Sequence, residues 1–231
     1  LKALGVDVSR IDVKTDATSA IYLSILNNKS DMEVAISDMD VVKFIVPEFL
    51  EKNADFILSS EAVALDGNLE RETIEYIAGR FSQTPLFFDP VSAAKAVRAK
   101  DVIGAFTCIK PNIMEAEVLL GMRIENEYDL KVAGQRFIDK GVEKVFITLN
   151  KDGVYYKDRD EEGFIKPANV NIKSATGAGD SFSAAILMGM INRKSVREIA
   201  KYGMAAAQIT MESSHAVSEY INNDEIGRRI K

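Results

Sequence analysis

The sequence predicts an α/β fold: a mostly parallel sheet covered by helices on both faces, a three-layer sandwich, with a small β flap attached. Two observations carry this. From about residue 41 onward, short apolar stretches alternate with amphipathic ones, the pattern of strands and helices in a parallel sheet. Before that point, two β-prone stretches share only a turn-rich linker, the pattern of a hairpin.

Taken in order, "LKALGVDVSRIDV" reads as the end of a helix running into a loop and a strand, with no helix start, so the chain is expected to be part of a longer one. "SAIYLSIL" (19–26) and "MEVAISDM" (32–39), separated by "NNKSD", form the predicted flap, within 17–40. Then come a helix over about 41–52, a strand at "DFILSS" (55–60), a helix over 68–83, and a strand at "PLFFDPV" (85–91). A helix near 93–102, a strand at "TCIKPN" (107–112), a helix around 128–139 and a strand at "KVFITLN" (144–150) follow. "GVYYKD" and "GFIKPA" are joined by the charged "RDEE", a solvated hairpin tip, and helices over 181–193 and 195–212 end the pattern. With no internal repeat and no long linker, residues 1–231 read as one domain.

Composition narrows the function. A net charge of −6 and a pI near 5.1 argue against a nucleic-acid-binding face and point to small-molecule ligands. Cys108 and His215 are the single cysteine and histidine, so no disulfide forms within the chain and any metal is held by oxygen. No targeting segment or bilayer-spanning run is recognisable, and the expected location is the cytoplasm, with no membrane partner.

The stretch "SATGAGDSFSAA" (174–185) brings two glycines next to an aspartate as an apolar helix begins. A helix N-terminus offers unpaired N–H groups and partial positive charge, which favour phosphate oxygens. Gly177 and Gly179 let the backbone approach one anion, and Asp180 has the polarity of a helix cap and the position of a base for an attacking hydroxyl. A plain strand-to-helix turn with a capping aspartate is the competing reading. Walker and dinucleotide patterns do not fit: there is no G-x-x-x-x-G-K-[ST], and Phe182 stands where a third glycine belongs.

"ATGAGDSFSAA" resembles the C-terminal signature of the ribokinase-like (PfkB) sugar and nucleoside kinases. The resemblance continues in order through "DPVSAAKA" (89–96), "KPNIMEAEVL" (110–119) and "FITLNKDGVYY" (146–156). It implies a kinase that uses ATP and Mg²⁺ and transfers the γ-phosphate to a primary hydroxyl of a nucleoside or sugar, and it leaves a monovalent cation requirement open. By the same resemblance Asp180 is the catalytic base, and the backbone of Gly177, Ala178 and Gly179 forms the anion hole. Asn112 and Glu115 match N-x-x-E, which organises Mg²⁺ and its waters, and Asn112 also touches the nucleotide. Thr148, Asn150, Gly153, Thr176, Gly177 and Gly179 line the nucleotide, with Asn150 standing where the family has a glycine.

Asp89 ends an apolar strand, where open α/β sheets collect ligands, or simply opens an Asp-Pro turn. Lys95 either approaches a phosphate or is a solvated helix residue. Within the family, "ATSAIYLSIL", "AISDMD", "ALDGNL" and "FFDPVSAAKA" are most similar to the kinases of pseudouridine, which implies its 5′-hydroxyl as acceptor and Thr18, Ser19, Asp38, Asn68 and Asp180 as substrate contacts. Sugar kinases of the ribokinase or fructokinase kind, and a non-catalytic binding relative, are the alternatives. The family's central strands with a substrate-gripping aspartate, and its Gly-Gly-Asn segment, precede the point where this chain starts. The resemblance also implies a homodimer paired through the flap strands, whose exposed edges a partner copy would cover.

Overall fold

The computed structural model describes residues 1–26 and 32–230. The sequence linker at 27–31 lies outside them. A six-stranded sheet runs in order β3 (Val63–Asp66), β4 (Leu86–Asp89), β5 (Cys108–Ile109), β6 (Lys144–Thr148), β7 (Val154–Lys157) and β8 (Glu162–Ile165). The first four strands are parallel, and the last two are added antiparallel through hairpins.

Successive side chains on these strands point to opposite faces, and the core divides accordingly. Leu86, Phe88, Val145, Ile147 and Tyr155 pack with α3 (Arg71–Arg80), α5 (Ile113–Leu120) and α6 (Glu127–Lys140). Phe87, Cys108, Phe146, Val154 and Tyr156 pack on the other face with α7 (Ala178–Ile191) and α8 (Val196–Met211). Asp89 and Lys110 follow Phe87 and Cys108 by two residues, so the same alternation aims them toward α7 and α8. The last helix, α9 (Asn223–Arg229), adds Ile226 to a small cluster with Ala205, Ala206 and Ile209.

The flap forms as expected, β1 (Ile21–Leu26) pairing antiparallel with β2 (Met32–Asp38). Cross-strand partners Leu23–Ile36 and Ile25–Val34 share one face of it. The "RDEE" stretch does turn a hairpin, with the Asp158 carboxylate accepting the N–H groups of Asp160 and Glu161.

Four expectations are corrected. Residues 55–60 are not a strand: Ala54–Leu58 is helix α2, and the strand comes later, at Val63–Asp66. Leu50, Ala54 and Ile57, at helical spacing, all join the core, and that pattern overrides the β-propensity of "FIL". The helix over 41–52 is broken into a 3₁₀ turn, Asp40–Phe44, and α1, Pro47–Lys52. Proline at 47 holds Val46 extended and restarts the helix at its first position. At the front, Lys2–Leu4 is a single 3₁₀ turn and residues 6–13 form no strand. The helix near 93–102 is also shorter, α4 (Ala93–Ala96) passing into a 3₁₀ turn, Val97–Ala99.

Candidate active site

Helix α7 begins directly from the glycine turn. Gly177 is its N-cap with φ of 84°, a left-handed conformation that side chains resist. A Cβ at Gly177 would lie 1.9 Å from the carbonyl oxygen of Ala216, so close approach of the segment after α8 demands glycine a second time. Among the described residues no side chain caps α7, and the expectation that Asp180 does so is corrected. Gly177 occupies the cap position, and Asp180 is the third helical residue, exposed in the first turn. Ala178 N–H donates to Ala175 O at 3.3 Å, so one of the three expected amides is engaged within the turn. Thr176 is exposed, its N–H donating to Ser174 Oγ at 3.2 Å.

Facing this turn are the C-terminal ends of β4 and β5. Lys110 Nζ donates to Asp89 Oδ2 at 2.9 Å, and Ser183 Oγ on α7 donates to the same oxygen at 2.9 Å. The other oxygen, Oδ1, accepts Val91 N–H at 3.2 Å. Asp89 thus ties two strand ends, the loop after β4 and helix α7 together, and its sequence reading as a mere turn opener is too small. That loop is strained: Val91 has φ of 66°, and Ser92 N–H donates to Pro90 O at 2.7 Å across it, a γ-turn with a β-branched residue at its centre.

Asn112 and Glu115 build a reciprocal capping box at the start of α5. Asn112 Oδ1 accepts Glu115 N–H at 2.9 Å, while the Glu115 carboxylate accepts Asn112 N–H at 2.9 Å and its side-chain amide at 2.8 Å. Glu115 is buried, and burial raises its pKa; the Asn112 bond opposes the shift, the Asp89 charge adds to it, and Lys110 offsets it. These influences tie Glu115 electrostatically to the Asp89–Lys110 pair. Thr148 lies beside Asn112 through an isolated parallel bridge, its N–H donating to Pro111 O at 2.9 Å. Asn150 is exposed with φ of 52°, and Gly153, at φ of 100°, has no room for a Cβ against Ile165 O.

The remaining candidates sit in two places. Asn68 is fixed from both sides, its side-chain amide donating to Asp66 Oδ2 at 2.9 Å and its oxygen accepting from Lys95 Nζ at 2.5 Å. Lys95 is therefore committed to the loop after β3. Arg98 holds that loop by donating to the carbonyls of Gly67, Asn68 and Leu69. Thr18, Ser19 and Asp38 are exposed at the base of the flap, and no hydrogen bond among the described residues joins them to the cluster around Asp89.

Sequence reasoning passed over Lys110 and Ser183. The signal for the first was strand alternation from Cys108; for the second, its place three residues beyond Asp180 on one helix.

A divalent cation fits these residues in one way. Among the described residues no group of three or more His, Cys, Asp or Glu side chains could cage a metal. Glu115 and Asn112 suit a Mg²⁺ that keeps waters and is held mainly by phosphate oxygens. Two surface cavities of about 440 and 380 Å³ are lined by other residues. Among the described residues no helix is long and apolar enough to cross a membrane.

Comparison with known proteins identifies the family. Residues 1–222 match the model of the pfkB family of carbohydrate kinases. The chain is 29% identical over 223 residues to pseudouridine kinase of Escherichia coli, covering 96% of this chain and 70% of that protein. It is 26% identical to guanosine-inosine kinase of Exiguobacterium acetylicum, covering 93% of this chain and 72% of that one. A crystal structure of a putative sugar kinase from Clostridium perfringens superposes with a TM-score of 0.87 at 33% identity, over 99% of this chain and 72% of that one. With its sheet, its flap, its ordered motifs and this match along nearly its whole length, the chain belongs to the pfkB family of carbohydrate kinases, phosphotransferases that act on a hydroxyl group.

Proposed function

We propose that this chain carries the phosphoryl-transfer site of an ATP-dependent kinase whose acceptor is the primary hydroxyl of a nucleoside, with the 5′-hydroxyl of pseudouridine as the first candidate. The observation that supports it most is convergence: the start of α7, with Asp180 in its first turn, faces Asp89 and Lys110 at the ends of two parallel strands. Ligands of open α/β sheets collect at that edge, and a helix N-terminus is suited to polyphosphate. The names of the E. coli and E. acetylicum relatives favour a nucleoside over a free sugar.

In this reading the glycine turn holds the transferring phosphoryl group, and Asp180 takes the acceptor's proton as its oxygen attacks phosphorus in line. Bound Mg²⁺ offsets charge on the phosphates, and Glu115 and Asn112 are the side chains that hold its waters. Thr148, Asn150, Gly153 and Thr176 border the nucleotide. Asn68 and the flap residues Thr18, Ser19 and Asp38 face the acceptor, and closure of the flap excludes water. The half-exposed face of Ile21, Leu23, Ile25, Val34 and Ile36 is covered by a second copy of the chain.

The test uses the full-length protein with ATP, Mg²⁺ and a panel of pseudouridine, uridine, guanosine, ribose and fructose. Asp180→Asn is expected to lower kcat at least about 100-fold while ATP affinity stays within a few fold. Near-normal turnover in that variant sinks the base assignment, and turnover of a sugar but no nucleoside sinks the acceptor class.

A further inference from the structure

Gly179 poses a puzzle that Gly177 does not. Its φ lies outside the left-handed range, and a Cβ there would meet only one atom within 4 Å, the Lys110 ammonium at 3.8 Å. Neither backbone conformation nor crowding calls for glycine, which is a poor helix residue by about 1 kcal/mol relative to alanine. What the missing side chain leaves is open space between the start of a helix and a cation.

That cation is unusual in its own right. Lys110 is 7% exposed, where an ammonium is costly to desolvate. Its ion-pair partner among the described residues, Asp89, is itself held by Ser183 of α7 and by the strained turn at Val91, so the pair is locked in direction. An ammonium has three donors, and Asp89 takes one. An ion pair kept only for stability is replaceable by apolar side chains at little cost. A fixed cation beside a vacated helix face is suited to an anion.

We propose that Lys110 is a catalytic residue: its ammonium contacts the phosphoryl group being transferred, in the space that Gly179 leaves, with Asp89 as the positioning residue that aims it. This rests on the phosphotransfer reading above and adds one residue to it. As the bond from phosphorus to the bridging oxygen of the nucleoside diphosphate breaks, a bond forms from the acceptor oxygen, whose proton passes to Asp180. The Lys110 side chain donates no proton to the reaction's products and offsets charge on the non-bridging oxygens by direct contact.

The experiment compares ADP with a non-hydrolysable ATP analogue, by calorimetry on the full-length protein, alongside kcat and melting temperature. Lys110→Met is expected to erase about tenfold or more of the preference for the triphosphate and to lower kcat about 100-fold. Because that variant strands Asp89, the double variant Lys110→Met/Asp89→Asn is measured too. It is expected to recover the lost melting temperature but neither the preference nor kcat. A double variant with wild-type preference and kcat makes Lys110 structural and overturns the proposal while leaving the kinase reading intact. A wild-type protein that binds neither nucleotide overturns both.

Discussion

Glu115 occupies two roles with one carboxylate. It closes the capping box of α5, accepting two hydrogen bonds from Asn112, and it sits nearly dry beside Asp89 and Lys110. Burial raises its pKa above the ordinary 4.5, so in the fold it holds its proton to higher pH than in the unfolded chain. Its contribution to stability is therefore complete below its ordinary value and is lost as pH rises through the folded one. Glu115→Gln keeps the capping geometry and does not titrate. We expect the melting temperature of the wild type to fall relative to this variant as pH rises above the ordinary value of 4.5; a difference that stays constant with pH would contradict the assignment. The N-x-x-E spacing made the box legible in sequence, because both residues must reach back over one helical turn. The coupling to Asp89 was not legible, since it depends on β4 and β5 meeting in register.

Among the elements, the loop after β4 carries the clearest local cost. Val91 is 45% exposed, so little burial offsets its left-handed backbone. Asparagine tolerates that conformation. Val91→Asn is expected to stabilise the protein by about 1 kcal/mol, a rise of about 2–4 °C in melting temperature. If the melt is unchanged or lower, the turn is not strained as described. The variant keeps the backbone N–H that Asp89 Oδ1 accepts, so turnover is expected to stay near that of the wild type. Sequence marked an Asp-Pro turn here but carried no sign of its unusual hand, because valine is the residue least expected at positive φ. The failure at Ala54–Leu58 was of another kind. The i, i+4, i+7 pattern of Leu50, Ala54 and Ile57 was present in the sequence and was outweighed by β-propensity.

For the molecule as a whole, the strand alternation that separates two cores is what makes the fold readable from a few segments. "LFFD" and "KVFIT" place every second residue against α7 and α8, and the others against α3, α5 and α6. Residues 1–20 follow no such rule. Leu1, Leu4, Ile11 and Val13 are exposed, and apolar character there led to a strand that does not form. The flap was predictable as a hairpin, and its exposed apolar face is where the expected second copy would pack. If a second copy does, the full-length protein sediments as a dimer, and Leu23→Lys with Ile36→Lys shifts it to monomer, with unchanged helical circular dichroism. A doubly substituted protein that still dimerises places the contact elsewhere.

The carbonyl of Ala216 lies where any side chain on Gly177 would be. This peptide, beyond the end of α8, is a backstop for the bend that leads into α7. Because that carbonyl is packed against the bend, a displacement of residues 212–221 is expected to reshape the glycine turn even where no side chain of the turn is altered.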